Sequence, residues 1–457
     1  MLTMVETGSE KNDGAIITNL GKKGELMSRH GMVRAVGTHF EYEDGAYFYP
    51  FGTTVYALAH QEESLIDETL RALKNSPFNK VRMCVFPKHY QYNNNEPQFY
   101  PFERKEDGSW NVTSPCDDFW NHLEDVIKRL DDLEIECDLI LFHPYDSWGF
   151  SQFSQADNMR YLDYCTTRLG HLKNIWWSIA NEYDLCLGNK SVEDWREIEE
   201  FVASHNPNHH LLSNHNCFIP WDVSRPNITH GSYQTKRFAD IPNVVDKFKK
   251  PIIVDECCYE GNLPEFWGCL SGEEMTARFW RVVVSGAYCT HGETFMDNEH
   301  EIVWWAKGGA LKGKSPERIQ FLKDIVYELP SPIEPTITSA GTFDNLPEEV
   351  RQDMESQPMF LGFQKAMAMM TDENKHIHYA LEYCYAGHCG EDAYISYYDQ
   401  RCSAKDTIVL PKDKTYRIEL IDTWNMTRET IAKSVSGKTE VYLPGRPYMA
   451  VLATRLA

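Results

Sequence analysis

The stretch Ile175-Trp-Trp-Ser-Ile-Ala-Asn-Glu-Tyr-Asp184 is mainly apolar for six residues and then ends in Asn181-Glu182. A strand that is covered on both faces reads as a continuous apolar run, and parallel α/β barrels carry their chemistry at the carboxyl ends of such strands. The stretch therefore predicts a buried strand with a carboxylate at its tip. Pro251-Ile-Ile-Val-Asp-Glu256 repeats the design, with Glu256 at the end of a short β-branched run.

These two glutamates, at the tips of two strands of one sheet, are expected to face each other across a pocket. One would act as an acid and the other as a nucleophile or base, which is the arrangement that hydrolyses glycosidic bonds. The alternative is that Glu182 and Glu256 are surface or helix-cap residues, because the chain contains 68 Asp and Glu. That both follow a buried strand favours the paired interpretation.

Strands and helices alternate from about residue 51 to residue 328, which predicts eight strand-helix units and an α/β fold of the (β/α)8 TIM-barrel type. The predicted strands cover residues 51–59, 79–86, 138–143, 174–181, 210–213, 227–230, 251–256 and 286–293. Before them, residues 38–49 alternate in polarity around Asp44-Gly45, which predicts a β-hairpin that plugs the bottom of the barrel.

The remaining segments predict two further parts. Residues 1–30 are polar and predict a flexible tail, so the catalytic barrel with its hairpin is expected over residues 31–329. From residue 330 to residue 457, short alternating segments separated by turn residues predict a small antiparallel β-sandwich that stabilises the barrel. The segments are 376–383, 393–398, 416–422, 439–443 and 449–453.

Composition narrows the class of ligand. The formal net charge is −23, and a net-negative surface opposes nucleic-acid binding. No apolar run approaches the ~18 residues of a membrane helix, and the first ten residues lack a secretory signal. Thirteen scattered cysteines are typical of reduced thiols. We therefore expect a cytoplasmic protein with a carbohydrate substrate, no nucleic-acid or membrane partner, and a homo-oligomeric state left open.

The residues at the strand tips resemble clan A glycoside hydrolases. These are retaining (β/α)8 enzymes whose acid/base Glu follows Asn at the end of strand four and whose nucleophile Glu ends strand seven. In this clan an Arg commonly ends strand two, a His ends strand three, a His and a Tyr lie after strand six, and a Trp follows strand eight. The residues at corresponding places in this sequence are Arg82, His143, His230, Tyr233, and Trp304 or Trp305.

Three stretches, Phe142–Phe150, Asn181–Asp184 and Asp255–Gly261, look like a group related to the apiosidase-like proteins, which carry a C-terminal sandwich. The resemblance covers nearly the whole chain. The sequence departs from the clan at Tyr183, where Pro is familiar, and in a longer His-to-Tyr spacing after strand six. The resemblance implies the catalytic pair and leaves the sugar unassigned.

The two glutamates receive different roles. We assign Glu182 as general acid and then base, because the aromatic residues around it should desolvate it and raise its pKa. We assign Glu256 as the nucleophile, with Arg82 nearby to hold it ionised. Retaining enzymes place the carboxyl groups about 5 to 5.5 Å apart, whereas roughly 6.5 to 9.5 Å indicates inversion. Asp255 should point the other way along the strand, into the barrel wall.

Other polar and aromatic residues have two interpretations each. Asn181 would hydrogen-bond the sugar 2-hydroxyl or cap its own backbone, and Tyr233 would donate to Glu256 or fill the core. A tryptophan after strand eight would stack on a sugar face or pack in the core. A set of polar residues near the strand tips would either hydrogen-bond to sugar hydroxyls or ligate Zn²⁺. These residues are His143, His215, His230, His291 and Glu293. No His-x-His follows the first strand, so we expect no metal and no other cofactor.

The sequence thus predicts a retaining glycoside hydrolase that cleaves O-glycosidic bonds of small oligosaccharides or glycosides, and that acts from the chain end. Two alternatives belong to other classes. One is a metal-dependent TIM-barrel hydrolase that uses the histidines, which metal analysis would reveal. The other is a catalytically silent carbohydrate-binding protein, which an activity screen with Glu182→Gln and Glu256→Gln controls would identify.

Overall fold

An eight-stranded parallel barrel forms the centre of the protein. The computed structural model describes residues 30–296, 303–336, 348–382 and 384–456, so the predicted tail, apart from its last residue, lies outside the described residues. In chain order the barrel strands are Phe51–Thr54, Lys80–Cys84, Glu136–Phe142, Ile175–Ala180, Leu212–Ser213, Gly231–Gln234, Ile252–Glu256 and Tyr288–His291.

The strands are hydrogen-bonded in the order five, four, three, two, one, eight, seven, six. A parallel bridge between His215 and Ser232 joins the fifth strand region to the sixth, which closes the ring. The predicted (β/α)8 barrel is therefore confirmed. The sixth strand begins at Gly231 rather than at Asn227, so the prediction for that strand was four residues early.

Seven of the eight connections carry helices on the outside of the barrel. These are Glu63–Lys74, Asp117–Asp131, Gln155–Leu169, Val192–Ser204, Ile241–Phe248, Gly272–Val284, and after the eighth strand Trp304–Lys307 and Ser315–Tyr327. Residues 214–230, between the fifth and sixth strands, form no helix. Pro220 and Pro226 lie in that segment, and proline removes the N–H that a helix interior requires.

The sequence explains where these helices begin and which face they bury. Ser191 Oγ accepts a hydrogen bond from Asp194 N (3.2 Å), and Asp194 Oδ2 accepts one from Ser191 N (2.7 Å), so a capping box begins helix Val192–Ser204. In helix Asp117–Asp131 the apolar residues recur every three or four positions, and this face is buried against the barrel. Short 3₁₀ turns cover Leu58–His60, Phe150–Gln152, Tyr183–Cys186 and Phe238–Asp240.

A small antiparallel sheet of strands Val33–Val36, His39–Tyr42 and Tyr47–Phe48 closes the amino-terminal end of the barrel. The fully buried ring of Phe40 lies 5.1 Å from the ring of Trp176 and 5.3 Å from that of Tyr288, both near the starts of barrel strands. The predicted plugging hairpin is therefore confirmed. Because the amino-terminal end is filled, the open end for chemistry is the carboxyl end.

Two short pairs of strands decorate that open end. The long loop after the second barrel strand folds into an antiparallel pair, Phe102–Arg104 and Trp110–Pro115. Glu260–Gly261 and Glu293–Thr294, which follow the seventh and eighth strands, pair in parallel. No helix of the described residues has the length and apolarity needed to cross a bilayer.

The C-terminal part is a β-sandwich. One antiparallel sheet contains, in order, Glu334–Pro335, Tyr385–Cys389, Ala393–Tyr397, Met449–Arg455, Tyr416–Asp422 and Thr427–Val435, and a second pairs Lys405–Val409 with Lys438–Tyr442. The first sheet packs on barrel helix Gly272–Val284, where the rings of Trp280 and Tyr397 stack at 5.6 Å. All thirteen cysteines are unpaired.

The strand predicted at residues 376–383 was wrong, because helix Asp372–Glu382 covers all of that segment but its last residue, which is not described. Thr371 Oγ1 accepts a hydrogen bond from Asn374 N (3.2 Å), which begins the helix. Two acidic residues in the first turn complement the positive end of the helix dipole. Helices Glu348–Glu355 and Pro358–Met369 precede it.

Candidate active site

A cavity of about 390 Å³ opens at the carboxyl end of the barrel, which is within the size range of small-molecule sites. We call it the active-site cavity. Its lining combines two carboxylates, two lysines and many rings: Tyr56, Lys88, Tyr90, Tyr145, Asn181, Glu182, Leu185, Cys217, Phe218, Gln234, Thr235, Lys236, Glu256, Cys258, Tyr259, Phe266, Trp267 and Trp305.

Glu182 lies two residues beyond the fourth barrel strand, with a left-handed backbone (φ 54°). A non-glycine residue in this conformation costs of order 1–3 kcal/mol and persists only where its surroundings hold it. Here the backbone N–H donates to His215 Nδ1 (3.3 Å), and the side chain accepts from Tyr145 OH (2.5 Å) and from Asn181 Nδ2 (3.1 Å). The carboxylate is thus held in one orientation at the cavity wall.

Glu256 is the last residue of the seventh barrel strand and also faces the cavity. Its Oε1 accepts a hydrogen bond from the phenol of Tyr56. Arg82 Nη1 lies 3.5 Å from the same oxygen. A phenol and a guanidinium thus contact one oxygen of Glu256 and fix the orientation of its carboxylate.

The amide of Gln234 lies between the two carboxylates. In the orientation in which its nitrogen faces them, it donates to Glu256 Oε2 (3.1 Å) and to Glu182 Oε1 (3.1 Å). These two oxygens can therefore be no further apart than twice that distance. Glu182 and Glu256 are 74 positions apart in the sequence, yet they converge on one amide group in one cavity.

A fully buried network supports the pair from below. Asn181 Oδ1 accepts hydrogen bonds from Tyr56 OH (3.0 Å) and from Arg82 Nη2 (3.2 Å). The amide nitrogen of Asn181 donates to Glu182, while Tyr56 and Arg82 both reach Glu256. The network links the two carboxylates. Arg82 is buried beneath Glu256 and does not line the cavity.

The electrostatic environment of Glu182 raises the pKa of its carboxyl group. Burial, followed by the nearby charge of Glu256, raises the pKa of Glu182 to about 7. The hydrogen bond from Tyr145 and the charge of Lys88 lower this pKa and offset part of the rise. Tyr145 stays a donor, because burial raises the pKa of its phenol far above the usual value. Glu182 is therefore a carboxyl group that is protonated for much of the time near neutral pH.

His215 lies beneath both carboxylates and is fully buried. Burial, and next the charge of Arg82, keep the pKa of His215 well below its usual value, so the ring is neutral. Because Nδ1 accepts from the backbone N–H of Glu182, the proton is on Nε2, which lies 4.0 Å from Glu256 Oε1. His215 does not reach the cavity, and its contacts position Glu182.

Lys88 carries a buried ammonium group on the cavity wall. Its Nζ lies 3.5 Å from the ring centre of Tyr56, 4.3 Å from that of Tyr145 and 5.0 Å from that of Trp305. Burial lowers the pKa of Lys88, and nearby anionic groups offset only part of this decrease. Among the described residues no carboxylate forms an ion pair with Lys88. Its N–H groups are therefore directed toward aromatic faces and the cavity.

Asp255 faces the interior of the barrel, so the expectation that it points into the barrel wall was wrong. Its carboxylate accepts from Lys80 Nζ (2.7 Å), Ser232 Oγ (2.6 Å) and Thr290 Oγ1 (2.8 Å), which belong to three other strands. The strand bulges here: Tyr233 pairs with Val254 and the next residue pairs with Glu256. An extra residue in a bulge breaks the alternation on which the expectation was based.

Three of the predicted polar residues lie away from the cavity. His143 Nε2 donates to Phe86 O (3.1 Å) beside a separate small pocket. His230 precedes the sixth strand and packs on Phe40 at the barrel floor, because that strand starts later than predicted. Tyr233 lies on the outer side of the same strand, while Gln234 faces the carboxylates.

His291, Glu293 and Trp304 are also outside the cavity. His291 stacks on Phe78 at 4.6 Å, and Trp304 Nε1 donates to Thr53 Oγ1 (2.8 Å), so both lie behind the barrel strands. Trp305, the other candidate of the pair, lines the cavity. The four histidines near strand tips therefore do not converge. Among described residues, one group, Glu260, His291 and Glu293, has metal-like spacing, and none of its three members lines the cavity.

Sequence reasoning missed several cavity residues. Tyr56, Lys88, Tyr145 and Gln234 follow or end the first, second, third and sixth barrel strands, but in loops or at strand tips with no distinctive spacing. The available signal was their position just beyond a predicted apolar strand. The side that each one faces depends on loop conformation and on the bulge, which a residue pattern does not reveal.

Comparison with known proteins agrees with this geometry. The family described as "Apiosidase-like, catalytic domain" matches residues 35–330, and a domain of unknown function (DUF5605) matches residues 382–454. No curated protein matches the chain. A candidate glycoside hydrolase from Bacteroides vulgatus is 33% identical over 93% of this chain and 83% of that protein, with a TM-score of 0.78.

A more distant structure shows the same fold. A glycoside hydrolase family 5 protein from Bacteroides vulgatus is 15% identical, with a TM-score of 0.67 over 93% of this chain and 94% of that protein. At this identity the likeness establishes the shared fold and carries no information on substrate.

Proposed function

This chain belongs to the apiosidase-like family, and from that premise we propose that it is a retaining glycoside hydrolase that cleaves O-glycosidic bonds with Glu182 and Glu256. The sugar would sit in the active-site cavity with its anomeric carbon between the two carboxyl groups. Glu182, with a pKa raised to about 7, would be the acid. Glu256, with Tyr56 and Arg82 on one oxygen, would be the nucleophile.

The first step breaks the glycosidic bond and forms a bond to the protein. A Glu256 oxygen attacks the anomeric carbon, the C–O bond to the leaving group breaks, and Glu182 gives its proton to the departing oxygen. Glu182 is then ionised and Glu256 is neutral as an ester. Loss of the Glu256 charge removes one of the causes that raise the pKa of Glu182, as the second step requires.

The second step returns the enzyme to its starting state. Glu182 takes a proton from a water molecule, whose oxygen attacks the anomeric carbon and displaces Glu256. Two displacements on one carbon return the original anomeric configuration. Gln234 donates to both carboxylates. It can therefore stabilise the negative charge on Glu256 before the first step and the negative charge on Glu182 after it.

One observation carries the proposal: the shared hydrogen-bond partner Gln234. Each donor distance is 3.1 Å, so the upper limit for the separation of the two oxygens falls below the roughly 6.5 Å at which inverting enzymes begin. An inverting mechanism needs room for a water molecule between sugar and base. This geometry favours direct attack by Glu256.

Other cavity residues would bind the sugar. Lys88 forms no ion pair with any carboxylate of the described residues and is suited to donate to sugar hydroxyls, while Trp267 and Trp305 offer ring faces. Asn181 already donates its amide hydrogen to Glu182, so contact with a sugar 2-hydroxyl would use its second amide hydrogen. Action at the chain end, small glycosides as substrates and a cytoplasmic location stay predictions.

The test is covalent trapping. The protein is screened against aryl glycosides of common sugars, and an active sugar is then supplied as its 2-deoxy-2-fluoro glycosyl fluoride. We expect one added sugar mass per chain, located by peptide mass spectrometry at Glu256 and absent in Glu256→Gln. Glu41→Gln, at a partly exposed carboxylate in the N-terminal sheet, is a control that should trap normally. Trapping at another residue would overturn the assignment.

A further inference from the structure

A second buried cluster lies outside the active-site cavity, at the carboxyl ends of the seventh and eighth barrel strands. It consists of Glu260, His291 and Glu293, whose exposures are 2%, 0% and 2%. One candidate ligand atom from each residue lies within 4.8 Å of the other two. The two glutamates belong to the paired segments Glu260–Gly261 and Glu293–Thr294, so the backbone fixes their spacing.

The contact between His291 and Thr53 orients the imidazole ring toward the carboxylates. His291 Nδ1 lies 3.1 Å from Thr53 Oγ1, which also accepts from Trp304 Nε1 (2.8 Å). Among the described residues His291 Nε2 has no hydrogen-bond partner, although it is fully buried, and it lies 3.9 Å from Glu293 Oε2. In the tautomer whose Nδ1–H donates to Thr53, a free lone pair on Nε2 faces the cluster. Metal-binding histidines commonly have this arrangement, with the other ring N–H donated to a neighbour.

The carboxylates are held by the backbone rather than by cations. Glu260 accepts from Lys314 N (2.7 Å) and Ser315 N (3.1 Å), at the start of the last barrel helix. Glu293 accepts from Lys312 N (2.5 Å) and Gly313 N (2.9 Å). The hydroxyl of Ser315 also donates to Glu260 Oε2 (2.5 Å), so Glu260 Oε1 and both oxygens of Glu293 are the atoms that retain a further lone pair. Within the ranges that the structure describes, no Lys or Arg forms an ion pair with Glu260 or Glu293.

Gly313 shows how closely the backbone covers this cluster. A Cβ atom at that position would lie 2.5 Å from Glu260 Oε2 and 2.6 Å from Glu293 Oε2. The two carboxylates therefore face each other beneath one peptide segment. Two neighbouring carboxylates repel each other in a desolvated site, and a bound cation would relieve this repulsion.

We propose that Glu260, His291 and Glu293 bind a divalent transition-metal cation of the Zn²⁺ or Mn²⁺ type at a structural site. One imidazole nitrogen and two carboxylates suit these cations, whereas Ca²⁺ and Mg²⁺ prefer oxygen ligands alone. The cation would join the ends of two barrel strands to the start of helix Ser315–Tyr327. The site takes no part in the proposed glycosidase reaction, because none of its ligands lines the active-site cavity.

The test measures metal directly. The purified full chain is treated with a chelator, dialysed, and incubated separately with ZnCl₂, MnCl₂ and CaCl₂ at about 100 μM, after which bound metal is counted by mass spectrometry. We expect about one Zn²⁺ or Mn²⁺ per chain and a rise of at least about 3 °C in Tm. The variant His291→Gln should lose at least ~10-fold in affinity, because it removes the nitrogen ligand.

Controls and a second readout keep the proposal falsifiable. His171→Gln, at an exposed histidine beside Glu124, should leave the stoichiometry unchanged. Co²⁺ added to the wild-type chain should give visible absorption bands of a nitrogen-containing site, which needs no variant that folds poorly. Absence of Zn²⁺ and Mn²⁺ binding, binding of Ca²⁺ alone, or equal affinity in a folded His291→Gln variant would overturn the proposal. Glycosidase activity is not part of any readout, so failure of one proposal leaves the other standing.

Discussion

Asp255 and Glu256 are consecutive residues of one strand, and both side chains face the inside of the barrel. Asp255 Oδ1 lies 2.7 Å from Lys80 Nζ in the buried interior, and Glu256 lines the cavity above it. The bulge opposite Tyr233 and Gln234 makes this possible. The strand therefore carries Asp255, which belongs to the buried ion-pair network, directly beside Glu256, the proposed nucleophile. Arg82 lies close to both carboxylates.

Lys80 holds together the buried carboxylates that lie below the cavity. Its Nζ lies 2.7 Å from both Asp138 Oδ2 and Asp255 Oδ1, and all three side chains are almost fully buried. Lys80→Met removes the cation and leaves two buried carboxylates with only Arg82 beside them. We expect a loss of about 3–5 kcal/mol in the free energy of unfolding, measured by urea denaturation.

The control for this change is a lysine of the same type at the surface. Lys128 pairs with Glu124 on the outer face of helix Asp117–Asp131, and its side chain is 54% exposed. Lys128→Met should cost less than about 1 kcal/mol. Equal losses in the two variants would mean that the buried network does not stabilise the barrel.

The barrel and the convergence of Glu182 and Glu256 on one cavity could be predicted from the sequence for one physical reason. A central parallel strand is buried on both faces, so it leaves a long apolar run that ends abruptly at the polar tip. Ile175–Ala180 and Ile252–Glu256 both have this form. Where the run was short or weak, as for the sixth strand at Gly231–Gln234, the predicted position was four residues early and His230 was placed at the wrong end.

The rest of the site depends on features that local patterns do not encode. Tyr145 and Lys88 reach the cavity from loops, whose conformation is determined by tertiary contacts. Gln234 faces the pair because the neighbouring strand bulges. The C-terminal helix Asp372–Glu382 was predicted as a strand because alternating histidines and apolar residues mimic the strand period, while its cap at Thr371 was overlooked.

The pH dependence of activity should report Glu182. A general acid works in its protonated form, and the pKa of Glu182 is raised to about 7 by burial and by Glu256. Protonation is complete well below that pH and is lost above it, so we expect kcat/KM to fall on the alkaline side with an apparent pKa near 7. Steady-state rates across a pH series with an aryl glycoside measure this limb.

Tyr145→Phe tests the origin of that limb. The hydrogen bond from Tyr145 lowers the pKa of Glu182, so its removal should raise this pKa and move the alkaline limb to higher pH. The variant Tyr164→Phe, on an outer helix, serves as the comparison. A limb that stays in place in Tyr145→Phe would show that another group controls it.

Tyr56→Phe tests how the nucleophile is positioned. The phenol of Tyr56 donates to Glu256 and lies 3.0 Å from Asn181 Oδ1, so its loss removes one of the two contacts that position Glu256 Oε1 and leaves the contact from Arg82. We expect kcat to fall by roughly 10- to 100-fold. KM should change much less than kcat, because the lost contact is with the reacting carboxylate, whereas a general structural defect would affect both. An unchanged kcat would contradict the role.

Phe266 lies at the mouth of the cavity with 70% of its surface exposed, and the ammonium of Lys236 lies 4.3 Å from its ring centre. Because an exposed ring at a cavity mouth buries little surface, it contributes little to the stability of the fold. Such a ring is suited to stack on the part of a glycoside that extends out of the cavity. Phe266→Ala should therefore raise KM by about 3- to 10-fold, leave kcat nearly unchanged, and shift Tm by less than about 1 °C. Tyr442→Ala, at an equally exposed ring on the C-terminal sandwich, should change none of these values. If kcat fell and KM did not rise in Phe266→Ala, the ring would act on the transition state rather than on substrate binding alone.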